Sequence, residues 1–472
     1  MTSFARAPFI VIWETTRACA LACVHCRAAA IPQRHPEELT TEEGYRLIDR
    51  VAGFGAPPPL LVLTGGDPLR RPDIVDLVAH ARGRGVTVSL TPSGTGAATT
   101  EKLRALRDAG LDRLAVSLDG ATADAHDAFR RVSGSHRQTM RILGQARALG
   151  LPVQINTTVC RQTVDALPAL VPQIETIQPA LWALFFLIPV GRAQTSQALS
   201  ADEIESVLHW AAALAERASF GVKTTEAPQY LRVVATRRRA AAPGWPTLAA
   251  RTGASPAPRP DALRRPDRAV TDGNGFVFVD HVGQICPSGF LPVPVANVRD
   301  RDLVAVYRED PLFVALRDPD RLGGRCGRCE YRERCGGSRA RAYAATGDAL
   351  AEDPGCPYQP GGDSAGSPRS LAIGGGSDLA AVVSREQIRD ALRAVLDPEL
   401  GMSVVDLGLI YNIAVEGTAV RVTMTLTTPG CPAHAAMTDW IRRVIDEIPG
   451  VEKVDVALTF EPPWTPARIK IA

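Results

Sequence analysis

The sequence predicts an α/β protein in three parts: a parallel sheet wrapped by helices, a small cysteine-rich domain, and a separate small α/β domain at the C-terminus. Three observations carry this. Six short β-branched runs alternate with amphipathic stretches from residue 9 to about 190. Cysteines then gather between residues 286 and 356. A Gly/Ser-rich stretch, PGGDSAGSPRSLAIGGGSD, separates all of this from a second, shorter alternation, as a flexible linker would.

The strands are expected in order at FIVIWETT, LLVLTGG, VTVSLTPS, RLAVSLDG, PVQINTTV and ALFFLIP, each of strand length and rich in apolar side chains. Between them TEEGYRLIDRVAGFG reads as a helix, with Thr40 and Glu43 as a capping box, and PDIVDLVAHARGRG as another, opened by proline and closed by glycine. Such alternation implies a parallel sheet, either open and doubly wound or closed into a partial (β/α)6 barrel. In both, chemistry belongs at the carboxyl ends of the strands.

Residues 236–268, TRRRAAAPGWPTLAARTGASPAPRPDALRRPDR, lose the pattern and read as a flexible insertion. The expected domains are 8–230 for the barrel, 231–270 for the insertion, 271–360 for the cysteine-rich part, 361–383 for the linker and 384–472 for the last unit. In that unit SREQIRDALRAVL, capped by Ser384 and Gln387, and HAAMTDWIRRVIDEI read as helices. VVDLGLIYNIAV, AVRVTMTLT and VEKVDVALTF read as strands.

At 472 residues the chain is too long for one core, and 53 basic against 51 acidic side chains leave a formal charge of only +2. That balance argues against nucleic acid as the partner. No apolar run is long enough to span a membrane, and MTSFARAPFIVIWETT enters a strand without a cleavage site, so a cytoplasmic location is expected. In a reducing compartment the ten cysteines read as metal ligands or redox groups rather than disulfides.

Cys19, Cys23 and Cys26 stand as CxxxCxxC directly after the first strand. Three thiolates on a four-iron cube leave one iron open to a ligand. A zinc site would want a fourth ligand, and His25 is adjacent rather than spaced for it.

With TGGDP after the second strand, this part resembles the radical S-adenosylmethionine superfamily over residues 8–195. The resemblance implies a partial (β/α)6 barrel and a [4Fe-4S] cluster on the triad, its open iron taking the amino and carboxylate groups of S-adenosylmethionine. It implies cofactor contacts at Gly65, Gly66, Asp67 and Pro68, and at Ser93, Ser117, Asp119, Arg130 and Asn156, with Thr157 beside the last and Pro189–Arg192 near the adenine. For Ser93, Ser117 and Asn156, plain satisfaction of backbone groups at strand ends is the alternative. Reductive cleavage to a 5′-deoxyadenosyl radical, hydrogen abstraction from a substrate, and an electron donor such as flavodoxin or ferredoxin come with the family.

Cys326, Cys329, Cys335 and Cys356 form CxxC, a five-residue gap, a cysteine and a twenty-residue gap to the fourth. The set resembles the SPASM or twitch extension of radical enzymes acting on peptides and tetrapyrroles, which implies one auxiliary [4Fe-4S] cluster. Arg339 occupies the position where a two-cluster version carries a further cysteine. On spacing alone, four thiolates also suit zinc. Cys286 is left as a further ligand, a hydrogen-atom donor to a substrate radical, or a packed thiol. Cys160, within an apolar run, reads as a small buried hydrophobe.

DPELGMSVVDLGLIY, TMTLTTPGCP and FEPPW resemble iron–sulfur assembly factors that include the phenylacetate oxygenase assembly protein and the Suf-system T protein. That resemblance implies a metal-binding or transfer-competent thiolate at Cys431 and iron–sulfur client proteins as partners. Asp397, Glu399 and Asp406 are candidate neighbours of this thiol, for which capping or turn roles are the stronger alternative to ligation. The expected whole is a radical enzyme acting on a small molecule, tetrapyrrole or peptide. A non-catalytic cluster carrier is the rival, and an S-adenosylmethionine pocket speaks against it.

Overall fold

The β-branched runs become strands of one continuous sheet. The computed structural model describes residues 3–240 and 266–361, and toward the C-terminus 385–392, 395, 397, 403–416, 419–427, 434–446, 448, 451, 453–461 and 464–465. The chain divides into two compact units, residues 1–371 and 372–472.

The first unit opens with β1 (Ile10–Glu14), α1 (Thr41–Ala52), β2 (Leu60–Thr64), α2 (Ile74–Gly83), β3 (Val88–Leu90), α3 (Thr100–Asp108) and β4 (Arg113–Ser117). It continues through α4 (Ala123–Arg130), α5 (Ser135–Ala148), β5 (Val153–Val159), α6 (Leu167–Ile177), β6 (Leu181–Phe186), α7 (Ala201–Arg217), β7 (Gly221–Thr225) and α8 (Tyr230–Ala240). Strands β1 to β7 pair in sequence order and all in parallel.

The sheet is wider than the six expected strands. Beyond them stand β7 on one side and, on the free side of β1, β8 (Phe276–Val279), also parallel. β8 turns back through β9 (Gln284–Cys286) and β10 (Ala296–Asn297), both antiparallel, so the chain after residue 271 first extends the same sheet. The short helices α9 (Leu303–Glu309), α10 (Pro311–Arg317), α11 (Gly324–Arg328) and α12 (Arg339–Thr346) follow.

Period-two alternation decides which side chains meet the helices. In β5, Val153, Ile155 and Val159 enter the main apolar core, while Gln154, Asn156 and Thr158 on the opposite face are only half-buried. Trp13 and Trp182 are fully buried in that core. The Thr40–Glu43 capping box is present at the start of α1, as its spacing predicts.

The second unit holds α13 (Arg385–Leu392), β11 (Ile410–Glu416), β12 (Ala419–Met424), α14 (His434–Asp446) and β13 (Lys453–Leu458). β12 lies centrally, antiparallel to β11 and parallel to β13, over a core that includes Ile388, Leu407, Val422, Met424 and Ile441. The strand expected from Val404 begins only at Ile410. Ser403 explains the delay: its hydroxyl accepts the Asp406 N–H at 3.0 Å and donates to the Asp406 carboxylate at 2.8 Å, closing a turn. Ser384, Glu399 and Cys431 lie outside the described residues. Among the described residues no helix is long and apolar enough to cross a membrane.

Candidate active site

After β1 the chain enters the loop that bears Cys19, Cys23 and Cys26, and two glycine-containing turns seat it. Gly66 and Asp67 donate their N–H groups to the carbonyls of Thr16 and Ala18, both at 2.7 Å. A Cβ on Gly65 would stand 2.2 Å from the Thr16 oxygen, and one on Gly66 2.5 Å from that of Ala18. Glycine is therefore needed here for the approach of the cysteine loop itself. From the other side Arg192 donates its backbone N–H to Cys26 O and its Nε to Cys23 O, each at 3.0 Å. Gly191, at φ +66°, leaves no room for a Cβ beside the Arg27 carbonyl.

The three thiols share one opening of about 1020 Å³, its mouth included, at the carboxyl ends of the strands. Gly65, Gly66, Ser93, Ser117, Arg130 and Asn156 line it with them. Each sulfur meets a donor. The Leu21 N–H lies 3.3 Å from Cys19 Sγ, Arg130 Nη1 3.7 Å from Cys23 Sγ, and the Ala30 N–H 3.5 Å from Cys26 Sγ, while Ser93 Oγ, 3.2 Å from Cys19 Sγ, donates its own hydrogen to Gly66 O. Such donors suit thiolates that carry charge onto a metal.

Asp67, Pro68 and Asp119 lie outside this lining. Asp67 is fully buried and accepts from Leu69 N–H at 3.2 Å and Thr95 Oγ1 at 2.6 Å, so it shapes the turn that Pro68 begins. Asp119 stands behind Arg130, accepting from its Nε at 2.8 Å and from Thr158 N–H at 2.7 Å. Burial is the largest influence on the Asp119 pKa and works to raise it, but the Arg130 charge, the neighbouring imidazoles and the Thr158 N–H together outweigh it and hold the carboxyl below its usual range. Thr157 turns to the other face of β5, where its hydroxyl donates to Leu118 O and accepts from Trp182 Nε1. His25 stacks on Phe129 with centroids 4.2 Å apart, and burial followed by the Arg130 charge lowers its pKa to about 3.

A second opening, of about 420 Å³, is lined by all four thiols of the quartet, Cys326, Cys329, Cys335 and Cys356. Arg339 is buried and fastens the surrounding loop, donating to Ala351 O at 2.6 Å and Ala349 O at 3.2 Å, with Nη2 3.5 Å from Cys326 Sγ. The Asp353 N–H reaches the same sulfur at 3.3 Å and the Tyr331 N–H reaches Cys329 Sγ at 3.4 Å. Burial pushes the Cys356 thiol up to about 11 and Cys335 higher still, so a cationic guest is what would favour their ionised forms. Among the described residues no three His, Cys, Asp or Glu side chains close around the space of a single ion. The thiols stand on the walls of larger openings. Cys286, in β9, is buried outside the lining of both, with its pKa pushed up to about 12 chiefly by burial.

Residues 13–170 match the family described as the Radical SAM superfamily, and residues 385–456 that described as Iron-sulfur cluster assembly protein. The AdoMet-dependent heme synthase of Methanosarcina barkeri is 37% identical over 361 residues, spanning 76% of this chain and 99% of that protein. The chain belongs to the radical SAM superfamily. A second AdoMet-dependent heme synthase, from Oleidesulfovibrio alaskensis, is 38% identical over 353 residues, covering 74% of this chain and 87% of that one. The crystal structure of Streptococcus suis SuiB bound to S-adenosylmethionine shares the fold, with a TM-score of 0.57, 15% identity, and coverage of 74% of this chain and 77% of that one.

This radical SAM enzyme therefore carries an iron–sulfur assembly domain after its barrel, and its family membership implies a four-iron cluster and S-adenosylmethionine. Its opening also contains residues that the sequence pattern does not single out. Thr158 follows Asn156 by the strand period and was within reach of that pattern. Arg27 adjoins Cys26, but nothing in its neighbourhood marks it. Phe290 reaches the same lining from beyond β9, across a separation in sequence that no local pattern bridges.

Proposed function

We propose that this radical SAM enzyme acts on a tetrapyrrole, as a heme synthase. The observation that carries the reading is the 37% identity to an AdoMet-dependent heme synthase across 99% of that protein's length. Cys19, Cys23 and Cys26 hold the cluster with the open iron. Arg130, Ser93, Ser117, Asn156 and the Gly65–Gly66 backbone receive S-adenosylmethionine, while Asp67, Pro68 and Asp119 hold those groups in place. When bound, cluster and cofactor together supply the 5′-deoxyadenosyl radical that abstracts hydrogen from a substrate. Leu21, Phe185, Phe186, Leu187, Ile188 and Phe290 give the same opening an apolar wall, which suits a flat ring system and keeps water out.

Cys326, Cys329, Cys335 and Cys356 hold one closed auxiliary cluster in this reading. Cys329→Ala is then expected to lower bound iron and sulfide by roughly half after anaerobic reconstitution, since one of two cubes is lost. Unchanged iron content in the variant would dismiss the auxiliary cluster. Cys431 supplies a thiolate for cluster transfer to this chain or to client proteins, and flavodoxin or ferredoxin delivers the electron.

The substrate class is tested by 5′-deoxyadenosine release from the reduced holoenzyme. A propionate-bearing iron porphyrin is expected to stimulate release severalfold over the substrate-free rate. If such porphyrins leave the rate unchanged while a peptide raises it, the tetrapyrrole reading is wrong.

A further inference from the structure

Among the described residues three arginines and no carboxylate side chain line the first opening: Arg27, Arg130 and Arg192. Two of them are committed within the site. Arg130 is bound to Asp119 and reaches Cys23, and Arg192 holds the Cys23 and Ala30 carbonyls at 3.0 and 3.4 Å. Both guanidiniums are thus engaged with the cysteine loop, and the one Arg192 nitrogen without a partner, Nη2, is buried.

Arg27 is held differently. Its Nη2 donates to Glu14 Oε2 at 2.5 Å, its Nη1 to Gly289 O at 3.4 Å, and its Cζ lies 4.6 Å from the centre of the Phe278 ring. Glu14 is buried and is itself fixed through Oε1 by His281 Nδ1 at 3.0 Å. At Gly289 a Cβ would stand 3.0 Å from Nε, Cζ and Nη1 together, so the guanidinium rests on bare backbone. β1, β8 and the segment after β9 thus position one guanidinium, and 21% of the side chain remains exposed at the opening. These bonds use part of its donor set and leave the rest for a ligand.

We propose that Arg27 anchors a carboxylate of the substrate, and so fixes which end of the molecule enters the opening. The proposal rests on the tetrapyrrole reading, because it is the acidic side chains of such a pigment that Arg27 would hold while the ring lies against Phe290 and the apolar wall. A planar fork already immobilised loses little freedom on binding, and its geometry matches a carboxylate better than a lysine would. Glu14 offsets most of the charge. Discrimination therefore comes from directed N–H bonds more than from bulk attraction, and the group recognised is a carboxylate within reach of those N–H donors. Glu14 and His281 are positioning residues in this arrangement.

The test is an anaerobic absorbance titration of the oxidised holoenzyme with hemin and with hemin dimethyl ester, in the wild type, Arg27→Gln and Arg27→Lys. The quantity read is the ratio of the two affinities within each protein, which a partly misfolded preparation leaves unchanged. The wild type is expected to favour hemin over the ester by roughly tenfold to a hundredfold, the range of a charge-assisted bond. Arg27→Gln brings the ratio to about one, and Arg27→Lys leaves it between. A wild-type preference that survives intact in Arg27→Gln overturns the anchor while leaving the tetrapyrrole reading standing. A wild type that binds neither pigment removes both.

Discussion

Replacing Cys23 by alanine is expected to lower 5′-deoxyadenosine formation by more than roughly 100-fold, since removing even an outer-shell partner of a metal ligand costs 10–100-fold. Cys23 is buried, with Arg130 Nη1 3.7 Å from its sulfur and its carbonyl held by Arg192 at 3.0 Å. The loop's backbone bonds stay in place in the variant, so the loss falls on the ligand rather than on the fold. The measurement is nucleoside release under strong reductant, beside bound iron and sulfide. Cys160→Ala is the control, because that thiol is buried beside Thr163 and outside the lining of both cysteine openings. Equal release from Cys23→Ala and wild type would remove Cys23 from the ligand set.

Asp119→Ala is expected to destabilise the first unit by about 3–5 kcal/mol, the usual cost of leaving one member of a buried ion pair alone. Arg130 would lose its carboxylate partner and the Thr158 N–H its acceptor, both in buried or half-buried positions. The shift is read from the urea midpoint, and a change under about 1 kcal/mol would show that the pair contributes little. The pair also has a pH signature. Because the folded pKa of Asp119 is depressed, its contribution is fully present above the unfolded value of about 3.9 and disappears as pH falls toward the folded value. The variant is therefore expected to lose stability less steeply than the wild type on acidification below about pH 4.

Much of this was legible from the sequence because it is local. Strand and helix periods are written within a few residues, and so is the CxxxCxxC spacing that puts three thiols on one loop. Gly65 and Gly66, expected from their turn to meet a cofactor, line the opening and also admit the backbone of Thr16–Ala18, a contact made between separate segments that the turn itself does not announce. Asp67 and Asp119 carry acidic side chains at strand ends, as cofactor ligands would, yet they are turned toward Thr95 and Arg130. Arg27, His281, Gly289 and Phe290 meet only once β8 has joined β1, and no periodicity announces a partner more than 250 residues away.

That late partner bears on how the chain is made. β1 is made before the other strands of its sheet, but it lies inside the finished sheet, between β2 and β8. During translation at about 5–20 residues per second, the backbone of Ile10–Glu14 waits roughly 15–50 s for Phe276–Val279 to emerge. For that interval a strand carrying Val11 and Trp13 offers an open row of N–H and C=O groups to any neighbouring chain. The nascent protein is thus most vulnerable to intermolecular pairing before β8, the last parallel strand of this sheet, leaves the ribosome, and a chaperone that caps this row would act in that window.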